Sequence, residues 1–275
     1  MLKLSIITIN YNNAAGLKKT LDSVAEQTWC EFEHIIIDGG STDKSVDVIQ
    51  IYADLYADKY PIKWISEPDK GVYDAMNKGI KMAMGEYCLF MNGGDSLFSP
   101  MTLNQIALDD NAEDLVVGYS IEEKTNIEIK YSLARLSLLG VMQHGISHQA
   151  MFIKRLLFEQ LGYYSTDLKV LSDCEFLYKC ALKDVSFVNL NECIALVEPG
   201  GLSNTMLEQM KNEGEIIKRV LPNSIKEDYQ YILSKKQIHN IAIDWFEKSQ
   251  YLFRVYSKFN RFINKIRNKF YGKYR

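Results

Sequence analysis

Along the first hundred residues, short apolar runs of strand length take turns with stretches whose apolar positions recur every three or four residues. Leu2 to Ile9, Glu33 to Asp38, Ile62 to Ser66 and Tyr87 to Asn92 have the length and the β-branched or aromatic content of strands. Between them, Leu17, Leu21 and Val24 mark one helical face. Val46, Ile49, Tyr52 or Ala53, and Tyr56 mark a second, and Val72, Met76, Ile80 and Met84 a third. Strands alternating with helices in this way predict an α/β fold, a mostly parallel sheet with flanking helices.

Each of the four strands runs into a polar loop, at Asn10, at Asp38, at Glu67 to Asp69 and at Asp95. In an open parallel sheet these loops share the rim where ligands bind. The stretch from Ser66 to Asp95 is the richest. Pro68 blocks helix continuation from upstream, Asp69 is placed to cap the amides that follow, and the fourth strand ends in Asn92-Gly93-Gly94-Asp95. Glycines there let a ligand approach the backbone, although the same residues also make ordinary turns. Together the four loops offer amides and a carboxylate for a base and a carboxylate for Mg²⁺ or Mn²⁺, as a nucleotide diphosphate requires.

The middle of the chain is less informative. Leu115 to Tyr119 and Ile127 to Tyr131 predict a hairpin-like extension beside the sheet, with Glu122-Glu123-Lys124 as a solvated turn. Chemistry returns at Gln143-His144-Gly145-Ile146-Ser147-His148-Gln149, before a strand from Ala150 to Ile153 and a helix from Lys154 to Leu161. A further helix is expected to begin near Ser172, with Asp173 in its first turn, where the helix dipole favours a carboxylate with or without a function.

At 275 residues, 47% hydrophobic and 24% charged, the chain is long enough for one large α/β domain with an appendage. Five cysteines form no CxxC pair, which suits a reducing compartment. No basic leader precedes the first strand and no apolar run reaches eighteen residues, so neither export nor a membrane span is expected. The net charge of −3 conceals a basic tail: residues 251–275 carry eight Lys or Arg and no Asp or Glu.

Residues Lys3 to Asp95 resemble the nucleotide-binding half of family 2 inverting glycosyltransferases of the GT-A fold. The likeness rests on Ser5-Ile-Ile-Thr-Ile-Asn-Tyr-Asn12, Asp38-Gly-Gly-Ser-Thr-Asp43 and Phe90-Met-Asn-Gly-Gly-Asp95, in the family's order and spacing. The segment Glu67 to Gly79 is similar to the branch that builds bacterial exopolysaccharides such as colanic acid. The resemblance continues more weakly to about Ser203. It implies a glycosyltransferase domain over 1–203, with a nucleotide-binding half (1–98) and an acceptor half (99–203), followed by a helical extension over 204–275.

The same resemblance implies the site residues. Thr8, Asn10 and Tyr11 would line the nucleoside pocket with Gly94 nearby, Asp38 would accept from a uracil or guanine ring, and Asp69 and Asn77 would border the ribose and sugar. Asp95 would hold the divalent cation. The family's usual D-x-D triplet is thinned here to Asn92-Gly93-Gly94-Asp95, so metal affinity without nucleotide is expected to be weak. His148 would stand on the acceptor or diphosphate side, and Asp173 would match the catalytic base. Ser172 stands where an acidic partner is usual, which leaves Glu175 as either a second functional carboxylate or a surface residue. Glu198-Pro-Gly-Gly-Leu-Ser203 resembles the family's Gly-Gly-x-Ser segment.

The implied function is transfer of a sugar, with inversion, from a nucleotide-diphosphate donor to a saccharide or lipid-linked saccharide acceptor in cell-surface polysaccharide assembly. The rivals are a nucleotidyltransferase, which would want a basic glycine-rich loop after the first strand, and a catalytically idle nucleotide-binding partner in a membrane complex. No nucleic-acid partner is expected. In the tail, Trp245, Leu252, Tyr256, Phe259, Ile263, Ile266 and Phe270 form one apolar helical stripe interleaved with basic residues. That stripe suits either a core contact or an anionic membrane surface, which would make this cytoplasmic protein peripheral on the inner membrane.

Overall fold

The computed structural model describes residues 2–219, apart from 107, 109–111, 132–135, 144–145 and 201–205, and beyond them only 223, 227 and 234. His144, Gly201 to Ser203 and the tail stripe from Trp245 to Phe270 therefore lie outside the described residues. A compact unit spans Met1–Ile217, and a second, Lys218–Arg275, is almost wholly outside them. The compact unit thus runs past the boundary expected at 203.

The sequence alternation becomes β1 (Leu4–Asn10), α1 (Ala14–Ala25), β2 (Phe32–Asp38), α2 (Ser45–Tyr56), β3 (Ile62–Ser66), α3 (Val72–Met82) and β4 (Tyr87–Asn92). After β5 (Ser96–Leu97) and α4 (Thr102–Ile106) come β6 (Leu115–Glu122), β7 (Glu128–Lys130), α5 (Leu138–Gln143) and a 3-10 turn at His148–Ala150. The unit closes with β8 (Met151–Lys154), α6 (Arg155–Leu161), α7 (Ser172–Leu182), β9 (Phe187–Val197) and α8 (Leu207–Arg219).

The strands form one sheet in the order β3-β2-β1-β4-β8-β6-β9-β5, with β7 paired to β6. The first four neighbours are parallel, with Asn10 opposite Asp38 and Ile9 opposite Asn92. The chain builds outward from β1 to β3 and then returns to β1's other side with β4. The order therefore reverses between β1 and β4, which is where a crevice forms outside the carboxyl ends of the strands. The family resemblance's GT-A architecture is thus the observed fold.

Two expectations change. β6 is a full member of the sheet, antiparallel to β8 and parallel to β9, so the predicted hairpin extends the sheet from within instead of lying beside it. β9, eleven residues with a polar middle at Asn189 to Glu192, escaped the sequence pattern altogether.

α1 buries Leu17, Leu21 and Val24 as its periodicity requires, and Asn13 caps it by accepting from the Gly16 amide at 3.1 Å. α3 is rotated from its predicted stripe: Tyr73, Met76, Asn77 and Ile80 face inward, while Met84 is past the helix end and exposed. That rotation matters for the site, because it turns a tyrosine toward α7 and an amide toward the loop at Tyr164. On one side of the sheet Leu17, Leu21, Phe32, Leu89 and Phe152 share a core. Beside α3 and α7, Phe90, Phe158, Tyr164 and Phe176 pack with ring centroids 4.6–6.0 Å apart. Each fully buried side chain of this size contributes about 1.5–3 kcal/mol.

Candidate active site

The loops after β1 and β2 are stitched into one platform. Asn12, in the left-handed region at φ 49°, accepts from the Thr42 amide at 2.8 Å and donates its own amide to Ser41 Oγ at 2.7 Å. Asp43 accepts from the amides of Ala14 and Ser45, both at 2.9 Å.

At the centre of this platform Asp38 is fully buried. Its Oδ1 accepts from Ser41 Oγ (2.5 Å) and Asn10 Nδ2 (3.0 Å), and its Oδ2 from the Ser41 amide (2.9 Å) and Ser66 Oγ (2.7 Å). Burial pushes the carboxyl's pKa up, but these donors outweigh it and hold it below the usual range. Four donors match the four acceptor positions of a carboxylate. Asp38 is thus occupied in holding the rim, and a base ring could bond to it only by displacing one of these partners. Asn10 is also buried, its amide shared between Asp38 and Ser45, and its Oδ1 meets no partner among the described residues.

Thr8 departs further from expectation. It is fully buried below the rim, its hydroxyl 2.8 Å from His34 Nε2, and therefore does not line a pocket. Asn77 is likewise committed: its Nδ2 donates to Tyr164 O at 2.8 Å and its Oδ1 accepts from the Tyr164 amide at 3.0 Å, which clamps the 162–168 loop instead of facing a sugar.

Tyr11 and Asp69 do reach the rim. Tyr11 is 66% exposed. Asp69 bonds the Gly71 amide with Oδ1 at 2.8 Å, which leaves Oδ2 directed over Gly39. A Cβ on Gly39 would lie 2.5 Å from that Oδ2 and 3.3 Å from the Tyr11 ring, so an aromatic face and a carboxylate converge over a glycine floor.

The turn after β4 is organised from below by Thr20, which accepts from the Gly94 amide at 2.9 Å and donates toward Asp95 O at 2.6 Å. Lys19 reaches Gly94 O at 2.9 Å and Glu123 at 2.6 Å, so the Glu122-Glu123-Lys124 turn, expected to be merely solvated, is tied to this loop. Gly94, at φ 120°, has its Cα against the Glu198 carboxylate, and a side chain there would collide with it.

Asp95 is only 4% exposed. Its Oδ2 accepts from Gln149 Nε2 at 2.7 Å and more distantly from the Asn92 amide at 3.3 Å, and its Oδ1 accepts from the Glu198 amide at 2.9 Å. Among the described residues no group of three His, Cys, Asp or Glu is arranged to hold a metal ion. The oxygens at hand, one spare acceptor position on Asp95 and the exposed carboxylate of Glu198, fit a hard cation that arrives with diphosphate oxygens, not a preformed cage.

From the end of β4 a polar chain crosses to α7. Asn92 Nδ2 is 3.1 Å from His148 Nε2, and His148 Nδ1 is 3.4 Å from Asp173 Oδ2. An ionised carboxylate only accepts, so the imidazole proton belongs on Nδ1 and Nε2 accepts from Asn92. The Asn92 Oδ1 is then a buried oxygen without a partner among the described residues. On its other side Asp173 Oδ1 takes the Cys174 amide at 2.8 Å and stands 3.0 Å from the Tyr73 hydroxyl, which also lies 2.6 Å from Val170 O. Asp173 and His148 both keep partly exposed side chains, whereas Glu175 is turned to Lys179 at 3.2 Å and does not join them.

Sequence reasoning assigned no role to Tyr73, Gln149 or Glu198, although Gln149 and Glu198 stood in segments it singled out. Gln149 had a signal in its adjacency to His148. Tyr73 did not, because only the rotation of α3 reveals it.

The profile described as Glycosyl transferase family 2 matches residues 5–172, well over half of the chain. The chain belongs to glycosyl transferase family 2. Among its relatives, the PGL/p-HBAD biosynthesis glycosyltransferase of Mycobacterium tuberculosis is 33% identical over 258 residues, covering 88% of this chain and 96% of the relative. An uncharacterized glycosyltransferase of Escherichia coli, YibD, is 36% identical over 114 residues, covering 40% and 32%. These matches make the family 2 protein a glycosyltransferase.

Solved structures at 18–20% identity show the same fold. Mannosyltransferase PcManGT from Pyrobaculum calidifontis, in complex with GDP-Man and Mn²⁺, superposes with a TM-score of 0.61 over 74% of this chain and 59% of its own. S. aureus TarS 1-349 in complex with UDP-GlcNAc gives 0.59 over 72% and 59%. The chain spans about three fifths of the length of these structures.

Proposed function

We propose that this family 2 enzyme transfers a sugar from a nucleotide-diphosphate donor to an acceptor hydroxyl with inversion, Asp173 serving as the base. The observation that carries this reading is the path Asn92–His148–Asp173, which joins the end of β4 to the first turn of α7 and leaves the carboxylate partly exposed. Inversion needs one carboxylate to take the acceptor's proton while the nucleotide diphosphate leaves from the opposite face of the sugar. His148 Nδ1–H toward Oδ2 and the Cys174 N–H on Oδ1, beside the Tyr73 hydroxyl, fix the orientation of the Asp173 carboxylate.

On the donor side, the Tyr11 ring and the Oδ2 of Asp69 over Gly39, which has no partner among the described residues, suit a base, the ring by stacking and the carboxylate by accepting from ring N–H groups. The complexes of TarS with UDP-GlcNAc and of PcManGT with GDP-Man support a nucleotide sugar as the donor class. A divalent cation, present as Mn²⁺ in the PcManGT complex, would meet Asp95 and Glu198, and when bound it supplies Lewis-acid stabilisation of the departing diphosphate.

The name of the mycobacterial relatives, PGL/p-HBAD biosynthesis glycosyltransferase, supports a biosynthetic role. We extend it to a saccharide or lipid-linked saccharide acceptor in cell-surface assembly. No described helix is long and apolar enough to cross a membrane. A cytoplasmic enzyme held at an anionic bilayer through the basic tail fits such an acceptor, and deleting residues 251–275 should release it from anionic vesicles.

The test of the central reading is a panel of nucleotide sugars followed by thermal shift with and without Mn²⁺, since a ligand of the native state raises Tm. NMR of the product anomer then reports stereochemistry. A retained anomeric configuration, or no stabilisation by any nucleotide sugar, would reject the proposal.

A further inference from the structure

Outside the region matched by the family profile, α8 sends one carboxylate back into the site's foundation. Glu213 is 1% exposed, and its two oxygens accept from three consecutive backbone amides: Lys169 to Oε1 at 2.7 Å, and Val170 and Leu171 to Oε2 at 2.9 Å each. Gln209, one turn earlier on α8, donates to Oε1 at 2.7 Å. Burial pushes the Glu213 pKa up, but the Gln209 amide and the three backbone N–H groups prevail and hold it below the usual carboxylate range.

These amides lead directly into α7. The helix has no side-chain cap at Leu171, and the buried Ser172 hydroxyl finds no partner among the described residues. Glu213 thus meets the N–H of the cap residue Leu171 and the two amides before it, placing at the entry to α7 a group of the charge that a helix start favours, while the Cys174 N–H of the first turn goes to Asp173 Oδ1. The Val170 peptide is pinned on both sides, its N–H by Glu213 and its carbonyl by the Tyr73 hydroxyl, and that same hydroxyl stands 3.0 Å from Asp173.

We infer that Glu213 is a positioning residue for transfer: by binding the 169–171 amides it sets the first turn of α7 and hence the direction of the Asp173 carboxylate. The inference rests on Asp173 being the base. A misplacement of about 1 Å at a reacting group costs on the order of 10²-fold in rate, so a modest tilt of this turn would be felt in turnover. Donor contacts belong to the loops after β1 to β4 and do not involve this turn.

The test uses the full chain with Glu213→Leu and the isosteric Glu213→Gln, which keeps one oxygen for two of the amides, alongside Asp173→Asn. Expected for Glu213→Leu are a fall in kcat of about 10²-fold, unchanged donor KM and lost hydrogen-exchange protection at 169–171. Glu213→Gln should recover part of kcat. In the double variant, Glu213→Gln should lower kcat no further once Asp173→Asn is present, since positioning an absent base gains nothing.

Wild-type kcat in Glu213→Leu with the amide protection gone would overturn the inference, as would an additive double variant. If Glu213→Leu fails to fold, the comparison of Glu213→Gln with the double variant decides alone. Full transfer by Asp173→Asn, in contrast, would remove the base assignment itself, whatever Glu213 does.

Discussion

His148 Nδ1 stands 3.4 Å from Asp173 Oδ2, and the pair joins the 3-10 turn before β8 to the first turn of α7. Replacing Asp173 with Asn keeps the shape and removes the proton acceptor. Transfer should fall by roughly two to four orders of magnitude, the usual contribution of a positioned general base, while donor binding by calorimetry stays near wild type. His148→Ala should fall less, because it loosens the carboxylate without deleting it. Undiminished turnover in Asp173→Asn would move the role elsewhere, and Glu175, paired with Lys179, is the less favourable heir.

Gly39 offers a test of the donor pocket away from the reacting groups. An added methyl would stand 2.5 Å from Asp69 Oδ2 and 3.3 Å from the Tyr11 ring, and would push aside the two groups assigned to the base. Gly39→Ala should weaken nucleotide binding by about tenfold or more, equivalent to about 1.4 kcal/mol, and transfer at saturating donor should be restored. Unchanged nucleotide affinity would remove Tyr11 and Asp69 from the pocket.

The oxygens around the β4 turn make a different prediction for the metal. Glu198→Ala should weaken the Mn²⁺-dependent part of nucleotide binding and leave the fold intact, because its carboxylate is exposed beside Gly94. Asp95→Ala should do the same and also lower Tm, since Asp95 is buried and takes donors from Gln149 and Glu198. Equal Mn²⁺ enhancement in wild type and Glu198→Ala would exclude Glu198 as a ligand.

What the sequence made legible follows from where local rules suffice. Short apolar runs of strand length marked β1 to β4 and period-3.6 faces marked α1 to α3, because β1, β2 and β4 are buried along nearly their whole length and each helix buries one face. β9 failed that test: its middle, Asn189 to Glu192, is polar, and its place in the sheet comes from pairing with β6, some seventy residues away. The loop residues divide in the same way. Asp38, Asn77 and Thr8 were expected to face the nucleotide or sugar, yet a motif cannot say whether a side chain faces a ligand or another part of the protein. Asn77 meets Tyr164 and Thr8 meets His34, and both contacts depend on elements far along the chain or across the sheet. Glu213 was invisible for the same reason: on α8 it is one acid among several, and only docking onto residues 169–171 distinguishes it.

Thr8, so placed, opens a buried relay that sets how the fold responds to acid. Its hydroxyl is 2.8 Å from His34 Nε2, His34 Nδ1 is 2.8 Å from the Tyr52 hydroxyl, and Tyr52 and Tyr60 share a bond of 2.6 Å. Burial pushes the His34 pKa down to about 3. In the unfolded chain the imidazole titrates near an ordinary value of about 6.5, so between pH 6.5 and 3 the unfolded state binds a proton that the native state refuses. Stability from this group is therefore complete above pH 6.5 and is lost as the pH falls toward 3, at about 1.4 kcal/mol per pH unit. Between pH 7.5 and 5 the wild-type protein should lose about 2 kcal/mol from His34 alone. Urea unfolding at pH 7.5, 6 and 5 checks this against His34→Gln, which starts less stable but lacks the titrating group. The variant's stability should be flatter over that window by about one proton, and a slope equal to that of wild type would show that His34 does not control acid sensitivity.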